Sequence, residues 1–153
     1  LAAYKHFSYQ PPIWLDEGFA LAMEREAEPT SITTEGEEGT LNEDIRNDDW
    51  IGERKQLLKS DEPRMAELFS RRTLGSLSEL EAVSCWSRVR FLIEEHPDKF
   101  AQFLGTLKGQ LDSAGYPTGN DLDGLQRKTM KELWDWSFSD FDAAWKIWLA
   151  EQL

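Results

Sequence analysis

Between Ser78 and Leu153 the large apolar residues recur three and four positions apart. Nowhere does the chain alternate apolar with polar residues as a half-buried strand does. Ser78-Glu79-Leu80-Glu81 fits a capping box, in which the Ser hydroxyl and the Glu carboxylate satisfy free amides of a first helical turn. Val83, Trp86, Val89, Leu92 and Ile93 follow on two sides of one helix, which predicts a central, well-buried element. Pro97 ends it, and Asp98 is expected to cap the next helix, where Phe100, Phe103, Leu104, Leu107 and Leu111 keep helical spacing. Gly115, Tyr116, Pro117 and Gly119 form a break. A further helix is expected from about Asp121 to Leu133. A last one, capped by Ser139, would carry Phe141, Trp145, Trp148 and Leu149 as a stripe. No repeat of fixed period is present. The expected fold is all-α, an irregular helical bundle.

The first third of the chain reads the same way. Leu1 to Phe7 suggests a helix tail. Pro12 suits a first turn, and good helix formers run from Ile13 to Ala27 before Pro29. Positions 29–49 are polar and acidic, and read as a long surface loop within a single domain spanning 1–153. The acids in that stretch lack the alternating ligands and central Gly of a calcium loop. Trp50 to Lys59 and a short turn holding Met65, Leu68 and Phe69 complete the helices. A 153-residue chain that is 40% hydrophobic can bury one core. Its net charge of −12 argues against binding nucleic acid, where phosphate contacts need clustered Lys and Arg. No apolar run approaches the ~20 residues that span a bilayer. With Cys85 as the single cysteine, no intramolecular disulfide can form.

The segment with chemical content is Pro11-Pro12-Ile13-Trp14-Leu15-Asp16-Glu17-Gly18-Phe19-Ala20. It resembles the W-L-x-E-G-x-A signature of the gluzincin zinc peptidases and comes closest to their peptidase MA-like group. More weakly, Val83 to Leu92, Lys99 to Leu104 and Phe141 to Trp145 resemble the family's later helices. The resemblance implies the C-terminal subdomain of a zincin-like peptidase that hydrolyses peptide or protein substrates. It implies that Glu17 is the third zinc ligand, with Asp16, Trp14 and Gly18 around it. A catalytic zinc keeps three protein ligands and an open position for water, and lowers the pKa of that water to about 7.

The family's other two ligands sit in H-E-x-x-H, which occurs nowhere here; the histidines are His6 and His96. Ala2 and Ala3 precede His6 where that motif needs His and Glu. In the family, the motif lies farther upstream of the ligand Glu than this chain extends. The expectation is therefore a fragment that begins after the motif, holds no zinc alone, and is inactive without the missing N-terminal segment. Apolar surface around Trp14 to Ala22 is then expected to lie uncovered and to invite a homodimer or another cover. His6 reads as a helix-end or surface residue, and His96 as a helix C-terminal residue acting with the dipole. Cys85 reads as buried and inert, and the tryptophans near the C-terminus as core. The alternative is a noncatalytic binding or scaffold module that keeps the peptidase fold.

Overall fold

A computed structural model describes residues 11–27, 50–71 and 77–153. Leu1 to Phe7, His6 among them, and the acidic stretch 29–49 lie outside the described residues. Among those described the protein is all-α, with seven helices: α1 (Ile13–Ala27), α2 (Ile51–Lys59), α3 (Met65–Leu68), α4 (Glu79–Glu95), α5 (Pro97–Lys108), α6 (Leu122–Trp134) and α7 (Phe138–Glu151).

Helix α4 is the axis of the assembly. Its start follows from the sequence: Ser78 Oγ accepts the Glu81 N–H at 3.2 Å, and the Glu81 carboxylate accepts the Ser78 N–H at 2.8 Å. Every residue from Val83 to Val89 is buried, with Phe91 and Leu92 beyond. A helix buried all round must be enclosed by neighbours, and α1, α2, α5 and α7 pack against it.

Burying polar groups in such a helix requires partners. Ser87 Oγ accepts the Trp145 indole N–H at 3.1 Å and donates to the Ser84 carbonyl at 3.1 Å. Arg88, 1% exposed, donates to the Asp142 carboxylate of α7 at 2.8 Å and to the Pro63 carbonyl at 2.9 Å. It also donates to Ser84 Oγ. Its guanidinium lies 3.8 Å from the centre of the Trp145 ring. The other Asp142 oxygen accepts the Met65 N–H at 2.9 Å. One ion pair thus joins α4, α7 and the start of α3.

Three sequence expectations about element ends are corrected. His96, not Asp98, stands at the N-terminus of α5, and Pro97 fills the first helical position, where its missing N–H costs nothing. Helix α5 ends at Lys108, so Leu111 leaves the apolar stripe. Leu111 instead bridges to Pro117 in a tight turn and is 54% exposed. Asp112 holds that turn by accepting the N–H groups of Ala114 and Tyr116, each at 2.9 Å. Ser137, not Ser139, caps α7, because its hydroxyl accepts the Asp140 N–H at 3.2 Å while Asp140 reaches back to the Ser137 N–H at 2.8 Å.

The expectation of uncovered apolar surface on α1 is also corrected. Ile13, Trp14, Leu15, Phe19 and Leu21 are all buried. Helices α4 to α7 meet these side chains: Phe19 stacks on Phe100 at 5.5 Å, and Trp14 packs against Phe103 and Phe141, each at 6.4 Å. Of that segment only the small Ala20 is exposed.

Candidate functional site

Glu17 sits in the second turn of α1 and is half-buried. Burial raises its pKa first, and the negative charges of Asp16 and Glu24 raise it further. No cation among the described residues offsets this. The charge of Glu17 is felt at Cys85 on α4, whose own burial pushes its thiol up to about 12. Cys85 is therefore a protonated core residue rather than a nucleophile.

The residues expected around Glu17 have distinct placements. Asp16 is partly exposed beside it. Trp14 is fully buried, and its indole N–H donates to Gln126 Oε1 of α6 at 2.8 Å. Gly18 marks a close approach of α1 to α4. A Cβ there would lie 2.4 Å from Val89 Cγ2 and 2.7 Å from the Cys85 carbonyl oxygen. The small residue thus seats α1 on α4, and the close neighbour it serves is within this chain.

As a single ligand, Glu17 fits zinc: it is a carboxylate without a cation among the described residues, in a setting where a bound cation would relieve its charge. As a whole site, the described residues do not fit. Among them no group of three or more His, Cys, Asp or Glu could hold a metal ion. His96 lies elsewhere, at the joint of α4 and α5, and its pKa is lowered, first by burial and then by Lys99. That direction is opposite to the one a helix C-terminus gives a charged histidine.

A cleft of about 400 Å³ opens between the α2–α3 connection and α7, with Arg64, Arg88 and Lys146 in its walls. Each of these cations already has a carboxylate: Glu67 at 2.9 Å, Asp142 at 2.8 Å and Asp61 at 2.9 Å. The Arg88–Asp142 pair and the Trp14–Gln126 bond were not read from the sequence. An Arg inside a two-sided apolar helix was the available signal, since a buried charge demands a partner.

No helix among the described residues is long and apolar enough to cross a membrane. Compared with protein families, curated proteins and solved structures, the chain matches none.

Proposed function

We propose that this chain is the helical C-terminal part of a gluzincin-type zinc peptidase, with Glu17 as the third protein ligand to the metal. The observation that carries the proposal is the state of Glu17: half-buried, raised in pKa and without a cation among the described residues, on the helix that bears Trp14-Leu15-Asp16-Glu17-Gly18. Because H-E-x-x-H is absent from all 153 residues, both histidine ligands and the general base would come from outside them. When bound, zinc would supply an activated water for attack on a peptide carbonyl. The contribution of this chain is rigidity. Gly18 seats α1 on α4 and Trp14 anchors it to α6, which fixes the backbone that carries Glu17. The chain alone is proposed to be inactive.

A second reading, the noncatalytic binding or scaffold module, is favoured by one observation: Ile13, Trp14, Leu15, Phe19 and Leu21 of α1 are already buried. The two readings part on the full-length gene product. The peptidase reading expects H-E-x-x-H upstream and chelator-sensitive cleavage of a labelled protein substrate, lost in Glu17→Gln. Absence of the motif, or no cleavage by a folded, zinc-supplied protein, supports the module.

A further inference from the structure

The cleft between the α2–α3 connection and α7 combines a fixed, buried cation with a loosely held one. The fixed cation is Arg88, committed to Asp142 and the Pro63 carbonyl. Leu57 and Trp145 add apolar wall beside it. The loosely held cation is Lys146. Its ammonium donates to the Ser60 carbonyl at 2.7 Å and to the Asp61 carboxylate at 2.9 Å. An ammonium has three N–H donors, and the Ser60 bond keeps this one in the cleft wall without help from Asp61. The Asp61 side chain is 96% exposed, so its pair with Lys146 is well screened and worth little. Arg64, also in the wall, is likewise held by an exposed carboxylate, that of Glu67.

We propose that this cleft is a carboxylate-binding site, in which Asp61 holds the place of a small organic acid at Lys146. A ligand carboxylate can take over the bond that Asp61 makes. Asp61 loses little by turning fully to water, because it is already almost wholly exposed. The exchange strands no buried charge, since the Arg88–Asp142 pair stays intact. A volume of about 400 Å³ is at the small end of ligand sites, and Leu57 and Trp145 offer an apolar surface to a short hydrocarbon body. Glu17 is not in the walls, so the proposal stands whether or not Glu17 binds metal.

The probe is butyrate, followed by NMR at the Trp145 indole N–H and the amides of Ser60 and Asp61. An ionic strength of about 0.15 M screens the long-range repulsion from a chain of net charge −12. Butyrate is expected to bind saturably, and butylamine not at all. Lys146→Gln should remove butyrate binding. Asp61→Asn should tighten it by about two- to sixfold, because the lysine is no longer occupied part of the time by an internal carboxylate. Glu62→Gln removes a neighbouring charge of the same cleft and should tighten it less. No saturable binding to Asp61→Asn, binding unchanged in Lys146→Gln, or equal tightening in Glu62→Gln would overturn the proposal. So would phosphate binding more tightly than butyrate, which would make the cleft a site for inorganic anions. The decisive variant, Asp61→Asn, alters a side chain that lies in solvent, so its result does not depend on a substitution in the core.

Discussion

Trp14 and Gln126 meet through a buried hydrogen bond of 2.8 Å across 112 residues of sequence. Gln126 is itself held by its own helix, donating to the Leu122 carbonyl at 3.1 Å. The bond fixes the start of α1 against α6. Gln126→Leu leaves the buried indole N–H unpartnered and should destabilise the fold by about 1–3 kcal/mol. Trp14→Phe in the Gln126→Leu background should cost less than Trp14→Phe alone, because the bond is already gone. Urea unfolding of the four proteins checks this; fully additive costs would mean that the bond carries no coupling.

Gly18→Ala should destabilise by about 1–3 kcal/mol, the usual cost of overpacking. The added Cβ meets both a side chain and a backbone oxygen. Adding Val89→Ala removes the nearer contact but not the Cys85 carbonyl. Relief in the double variant should therefore be partial, and complete recovery would show that the helix backbones are not in close contact.

Asp142→Ala should destabilise by about 3–5 kcal/mol, because it leaves the Arg88 charge buried without its carboxylate. Arg88→Met together with Asp142→Leu should recover much of that loss, since an apolar pair avoids burying any charge. Chemical denaturation measures both. A small cost for the single substitution would mean that water reaches Arg88.

Glu17 gives a pH signature. Its folded pKa is raised, so the fold favours the neutral acid. The associated stability is fully present below the unfolded value of 4.5 and is lost as pH rises through the folded pKa. Glu17→Gln should therefore stabilise the protein at pH 7 and give no gain near pH 4. Such a gain is expected where a residue is kept for function at a cost in stability. A loss of stability at pH 7 would mean that Glu17 has a structural partner.

Most helices were legible because their signals are local. The Ser78–Glu81 box and the formers from Ile13 to Ala27 set element ends that no distant contact had to decide. The misses share a cause. Leu111 fits helical spacing, but Gly109 ends α5 before it, so apolar period alone overran the element. Ser137 and Ser139 are both serines near a helix start with an acid three residues on, and only the fold shows that Asp142, the acid after Ser139, is taken by Arg88 and the Met65 N–H. Trp14 and Gly18 were singled out as neighbours of Glu17, but the partners they meet in the fold, Gln126, Cys85 and Val89, lie far along the chain. Spacing within α1 says nothing about which distant side chain completes a hydrogen bond or fills a groove. That Glu17 has no cation beside it among the described residues could be seen only in the packed structure.

The central claim is that Glu17 is a metal ligand, and the zinc content of the full-length gene product tests it most directly. After dialysis against zinc-free buffer, elemental analysis should find one zinc per wild-type chain and a large loss of zinc in a folded Glu17→Gln variant, since three protein ligands hold a catalytic zinc. Zinc retained in full by Glu17→Gln, or absent from the folded wild-type protein after zinc supply, would contradict the account.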